Sequence, residues 1–342
     1  MQKTWPINQF LIFITSLSIL VLIMKFSVDL LAPFLISVSI AIVLSPLLTY
    51  LREKHIPKII SLVILIMISS TPVIMLGNYI AEDAQNFTDN IRPMKEKFHS
   101  SMESVTTKLN SSGINITKVD IEGMLKKSNI SKILRNLSAQ VNKQFSNILL
   151  IFFTVAFMLM ESEYLHNKLK KALSTSDIDL KDGMEIIAKI KTYFIIKVKT
   201  SLVTALWALV VLWYYDISYY YIWATLAFFL NFIPVVGSII AAVPPIIIAI
   251  MEQGSGTAIW VAIWYIIINN VVGNILEPRI MGKGLGLSAL VIFLSMTLWG
   301  WVLGPTGMIL SVPLTMAMQF LFEQYEETKW ISLMLSDYEK DN

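Results

Sequence analysis

The sequence contains no cysteine. Disulfides, cysteine-zinc sites and thiol nucleophiles are excluded, and nothing follows about the redox compartment. Charge is scarce as well: 15% of the 342 residues are charged and 55% are apolar. A soluble domain averages about 25% charged, so this chain cannot cover a water-facing surface of its length. That excludes a single soluble enzyme domain, and it excludes disorder, which requires low hydrophobicity. The net charge of +3 is too small to suggest a nucleic-acid partner. Histidines 55, 99 and 166 lie far apart, so no metal set is expected. Gly282-Lys283 is preceded five positions earlier by Glu277 and is not followed by Ser or Thr, so there is no Walker loop. The sequence has neither a nucleophile elbow nor a His-Glu-x-x-His helix. No catalytic residue and no cofactor are expected, and the chain does not read as an enzyme.

What is present is apolar sequence with unevenly placed charge. From Thr200 to Phe322 the only charged residues are Asp216, Glu252, Glu277, Arg279 and Lys283. Lipid or other apolar helices must solvate most of that stretch. Glu82–Asn147 and Glu161–Lys199 are by contrast densely charged, and belong in water or at headgroups. The expected architecture is all-α: a polytopic membrane protein with about eight transmembrane helices, which need about 20 apolar residues each, plus broken or re-entrant helices and a small helical extramembrane segment.

The organisation follows. Residues 1–81 hold three spans, Asn8–Met24, Leu30–Tyr50 and Ile59–Ala81. Residues 82–146 form a polar amphipathic helical segment, with Ile130, Ile133, Leu134, Leu137 and Val141 at helical spacing. Residues 147–160 form a short fourth span. Residues 161–198 are a lysine-rich helical segment, and its Lys189, Lys191 and Lys197, with Lys199 just after it, are expected to meet anionic lipid. Residues 199–322 are a core of interrupted helices, starting with a span at Lys199–Tyr215, and 323–342 are an acidic tail. Lysine and arginine in the short loops, chiefly Arg52, Lys54 and Lys58, place both termini in the cytoplasm and 82–146 outside.

Interrupted apolar helices are the most informative feature. Non-helical backbone at membrane depth survives only inside protein or beside a wet cavity. Two stretches carry breakers in a similar order. In the first, Asn231 precedes Pro234, Gly237 and Pro244-Pro245; in the second, Gly304 precedes Pro305, Gly307 and Pro313. Paired interruptions of this kind point to a transporter's binding site; two ordinary proline-kinked helices are the alternative. The other feature is Asn269 through Ser288. On an α-helix Asn270, Asn274 and Glu277 share a face, which should point inward. Pro278 should end or kink that helix, and Gly282 with the glycines after it should make a mobile connection. Glu277 would carry a proton or cation, with Arg279 as its charge partner or an anion contact. At headgroup level the same residues would be only a helix end with a snorkelling arginine. Asn231 is the further buried polar candidate.

At these residues the chain resembles the autoinducer-2 exporter family of bacterial membrane proteins, which includes the PerM-type permeases. The matching runs are Ile233-Pro234-x-x-Gly237 through Pro244, Asn274-x-x-Glu277-Pro278-Arg279-Ile280-Met281-Gly282-Lys283-x-Leu285-Gly286-Leu287-Ser288, and Gly304-x-x-Gly307-Met308-x-Leu310-x-Val312-Pro313-Leu314. Ser238 and Ser288-Ala289 depart from the prolines often found there. The resemblance implies secondary export of a small molecule or ion across the bacterial inner membrane, with autoinducer-2 as the namesake solute. It also implies a homo-oligomer, a pentamer among the options. A Na⁺(Li⁺)/H⁺ antiporter and a non-transporting membrane scaffold are the rival expectations.

Overall fold

The computed structural model describes residues 7–71, 74, 149–162, 168, 180–281 and 286–337. The polar stretch 82–146, with its amphipathic stripe, therefore lies outside the described residues, as do Gly282 and Lys283. The described residues are helical throughout, with no strand; one isolated antiparallel bridge joins Leu287 to Ser336. The chain is an all-α polytopic membrane protein.

The helices are α1 (Ile7–Phe26), α2 (Val28–Glu53), α3 (Lys58–Thr71), α4 (Leu149–Ser162), α5 (Leu180–Tyr214), α6 (Tyr220–Leu230), α7 (Val236–Gln253), α8 (Ser255–Asn269), α9 (Glu277–Met281), α10 (Ala289–Leu303), α11 (Pro305–Glu323) and α12 (Lys329–Leu335). Among the described residues, five helical stretches are long and apolar enough to cross a membrane: α2, most of α5, α7, α8 with the turn after it, and α11.

Two of the four apolar clusters lie within separate sets of helices, and the other two join α1, α2, α5, α10 and α11. Ala41, Leu44 and Leu48 of α2 meet Leu62 and Leu65 of α3 and Val155 and Leu159 of α4. The second group is built on α5 to α8, where Ala208, Ala224, Ala227, Ala241, Ala249 and Ala258 line the contacts. Small side chains let membrane helices approach closely, because apolar lipid supplies no hydrophobic drive toward association.

α5 runs unbroken for 35 residues. The lysine-rich segment and the apolar core therefore do not part at 198/199; one helix carries both. Its polar and apolar halves join within the helix, and Lys197, near that join, is buried in the protein.

α6 and α7 form a hairpin. α6 has only 11 residues, about 16 Å at 1.5 Å per residue, which is too short to cross. Its entrance and the exit of α7 lie together: the Ser218 N–H donates to Glu252 Oε2 at 2.9 Å, and Gln253 Nε2 donates to the Asp216 carbonyl at 3.3 Å. α10 and α11 form a second hairpin, turned at Gly304, whose φ of 66° and ψ of −150° suit glycine. Its two ends also meet, since Gln319 Nε2 donates to the Gly286 carbonyl at 3.2 Å. α8 begins beside the open end of the first hairpin and leads, through α9, to the open end of the second. The two hairpins therefore open toward opposite faces of the membrane.

This sharpens the expectation of two interrupted stretches. The backbone leaves helical form at residues 231–235 and at Gly304. Pro244 and Pro245 lie inside α7, and Pro313 lies inside α11, without breaking either helix. The stretch expected as an acidic tail contains α12, which folds back onto the 286–288 connection.

Candidate functional site

The site grows from α5. Tyr193, Lys197, Thr200 and Thr204 recur at i, i+4, i+7 and i+11, so they share one face. All four are buried, and so is the adjacent Ser201. A buried polar stripe thus runs along a membrane helix that is otherwise Ile, Val, Leu and Trp. Ionisable groups in such a position face the protein interior or a wet cavity.

Glu277 meets this stripe. Lys197 Nζ lies 2.6 Å from Glu277 Oε1, and the two side chains are 8% and 15% exposed. The Thr200 hydroxyl donates to the same carboxylate oxygen at 3.1 Å. Lys197 Nζ also approaches the Asn231 carbonyl at 3.5 Å, the long limit of a hydrogen bond. Asn231 Nδ2 donates to Ser201 Oγ at 3.0 Å. Three elements therefore converge: α5, the apex of the first hairpin, and the start of α9. Glu277 and Asn231, both sequence candidates, come together here. Lys197 lies about 25 Å along α5 from Tyr214, and Glu277 about 30 Å along its helix from Ser255. Against a hydrocarbon layer of about 30 Å, both measures put the pair toward the membrane face opposite the first hairpin's opening.

Lys197 was expected at lipid headgroups, and that reading is corrected here. The signal that could have found it is the face it shares with Tyr193, Thr200 and Thr204, within the apolar run Phe194-Ile195-Ile196-x-Val198. Arg279 was expected as the charge partner of Glu277 or as an anion contact; it is exposed, and Glu277 pairs with Lys197. Residues two apart on a helix point to opposite sides, which separates 277 from 279.

Asn270 and Asn274 were expected to share an inward face with Glu277. Residues Asn270–Leu276 instead form a π-helical turn, in which the Glu277 N–H reaches the Val272 carbonyl five residues back. The wider turn rotates the face. Asn270 and Asn274 are exposed, and they make a ladder of their own: Asn270 Nδ2 donates to the Ile266 carbonyl at 2.8 Å, and Asn274 Nδ2 donates to Asn270 Oδ1 at 2.9 Å. Pro278 does not end the helix. The helix passes through the π turn Asn270–Leu276 immediately before it. π-bulges of this kind recur at functional sites.

Both hairpin apices are closed by glycine. A Cβ on Gly237 would stand 1.8 Å from the Leu230 carbonyl oxygen, and a Cβ on Gly307 would stand 1.9 Å from that of Trp299. Each hairpin thus seats its second arm on a carbonyl at or near the end of its first. Pro234 lies in the first apex, where Val235 has φ 61°, a genuine outlier for a β-branched residue. Trp299 Nε1 donates to Thr315 Oγ1 at 3.1 Å and ties the second hairpin. Two tyrosine hydroxyls, on Tyr193 and Tyr265, are buried with no hydrogen-bond partner among the described residues. No cluster of His, Asp and Glu that could hold a metal occurs among the described residues.

Comparison with known proteins matches residues 12–327 to the family described as AI-2E family transporter. Over 317 residues the chain is 33% identical to the AI-2 transport protein TqsA of Escherichia coli K12, covering 93% of this chain and 92% of that protein. It is 34% identical over 349 aligned positions to a Haemophilus influenzae protein described as a candidate transport protein, covering 99% of each. YhhT of Escherichia coli K12, described in the same way, is 28% identical over 314 residues, covering 90% of this chain and 88% of that protein.

Proposed function

This chain belongs to the AI-2E family of transporters, and from that premise we propose that it is a secondary transporter whose moving lock is the Lys197–Glu277 pair. The membrane-transporter class follows from the family. We further propose roles for individual residues, a solute of the autoinducer-2 kind, a bacterial inner-membrane location with both termini cytoplasmic, and a homo-oligomeric state.

The observation that carries the reading is the buried ion pair where the hairpin apex, the α5 polar stripe and the π turn meet. A charged group inside a membrane is tolerated when it is paired. Breaking such a pair by removing one partner costs about 3–5 kcal/mol. The pair is therefore a two-state device. When Glu277 holds Lys197, α9 is bolted to α5. When a proton or a cation takes Lys197's place on the carboxylate, the bolt opens and the Lys197 ammonium must find other company. The π turn and the glycine-seated apices are the elements that can absorb the movement. Asn231, Thr200 and Ser201 line the same place with hydrogen-bonding groups for a small polar solute. Asn270 and Asn274 present amides on the outer side of the π turn, and Arg279 lies beyond it.

The ion-exchange alternative has an observation in its favour. Around Lys197 Nζ stand oxygens of Glu277 and Asn231, with the Thr200 hydroxyl on the same carboxylate, and a monovalent cation could take the ammonium's place. Proteoliposomes assayed side by side for autoinducer-2 counter-transport and for Na⁺- and Li⁺-driven proton flux separate the two. Glu277→Gln should uncouple whichever flux the wild type performs while the protein still inserts. Wild-type flux in Glu277→Gln at every pH and gradient tested would remove the pair from the mechanism.

A further inference from the structure

We infer that α12 is a membrane-interface helix: its outer face, Trp330, Leu333 and Met334, lies in the lipid headgroup boundary and so straps down residues 286–288 at the entry to α10.

The helix has two unlike faces. Thr328 and Ser332 are buried, and Leu335 packs against the cluster of Tyr193, Phe194, Leu287, Leu310 and Met316. Trp330, Leu333 and Met334, at i, i+3 and i+4, point away from the protein and are 56%, 66% and 74% exposed. Three large apolar side chains on one outward face would be unfavourable in water. The occupant follows from position. α12 starts shortly after α11, one of the candidate spans, so it lies where that span leaves the membrane. Exposed Leu321 and Tyr325 extend the apolar surface of α11 toward Trp330. Tryptophan is enriched at headgroup level, and a helix with an apolar outer face lies in that plane. Lys329 beside it is exposed and pairs with Glu326 at 3.5 Å.

Its inner side grips a specific piece of backbone. The Ser288 N–H donates to the Leu335 carbonyl at 3.2 Å, and the Asp337 N–H donates to the Gly286 carbonyl at 3.3 Å. Gln319 of α11 donates to that same carbonyl. The gripped segment begins α10 and follows, after a few residues, the helix that carries Glu277. Anchoring α12 in lipid therefore restrains residues 286–288, where the second hairpin begins. Neither statement depends on what is transported.

The cysteine-free sequence makes each introduced thiol unique. Full-length Met334→Cys and, as a control, Glu326→Cys would be spin-labelled and reconstituted in phosphatidylcholine–phosphatidylglycerol nanodiscs. Oxygen, which partitions into lipid, should relax the label at 334 more than a water-soluble nickel chelate does, with the order reversed at 326. Preferential nickel access at 334 overturns the inference in favour of a water-exposed face. Protection from both reagents overturns it in favour of cover by a second copy or another protein. The strap is read by amide hydrogen exchange at Ser288 and Asp337. In Leu333→Ser/Met334→Ser, exchange there should rise about tenfold while α8 keeps wild-type protection. Unchanged exchange with the label in lipid would reduce α12 to an anchor without a grip.

Discussion

Lys197 and Glu277 are 80 residues apart in the chain and share a 2.6 Å ion pair buried within the protein. Neither is stable there alone. Lys197→Met and Glu277→Gln should each lower stability by about 3–5 kcal/mol, and the double variant should recover most of that loss, because a buried pair is often replaceable by neutral groups. Thermal unfolding of the four proteins in one detergent measures the coupling. An additive double variant would mean that the two side chains do not interact.

The hairpin apices predict two intolerant glycines. Gly237→Ala and Gly307→Ala force a methyl against a backbone carbonyl that cannot move aside. Overpacking of this sort costs about 1–3 kcal/mol, occasionally more. Gly256→Ala is the control, since its Cβ would meet nothing within 4 Å, and its stability should stay within about 0.5 kcal/mol of the wild type. Equal tolerance at 237 and 256, read by thermal unfolding, would contradict the seating of α7 on α6.

Opposed hairpins predict opposed chemistry at the membrane faces. Cysteines at Ser218 and Gln253, both exposed, should react with an impermeant maleimide from one side of intact vesicles only. Cysteines at Glu326 and Asp337, both exposed, should react from the other side only. Labelling of all four from a single side would refute the arrangement.

Val235 predicts a stabilising change. Its positive φ costs about 1–3 kcal/mol, and its side chain is exposed, so little packing is lost on truncation. Glycine gives back part of the gain through chain entropy, about 0.5–1 kcal/mol. Val235→Gly should therefore be more stable by about 1 kcal/mol, seen as a higher Tm. A lower Tm would mean that the valine side chain makes a contact that outweighs its strain.

The fold class was legible in composition alone, because so few charges cannot cover this length in water. The breaks at 231–235 and Gly304 were legible as well, since proline and glycine act through the local backbone. Pro244 and Pro313 misled for the same reason: a local breaker does not end a helix whose neighbours support it. Of the two roles expected for Arg279, the pairing with Glu277 is the one the structure gives to Lys197. Nearness in sequence suggested Arg279, while helix rotation opposed it.

Glu277, Asn231 and the glycines were therefore determined by residue identity: an acid and an amide in oil must find partners, and only glycine fits where a Cβ would strike a carbonyl. Which partner, and on which face, belonged to the tertiary structure. Lys197 became the counter-charge only because α5 crosses the end of α8, and Asn270 and Asn274 turned outward only because the helix widened into a π turn. Rotation about a helix axis and the crossing of distant helices are set by packing over the whole membrane core, and no short stretch of sequence contains them.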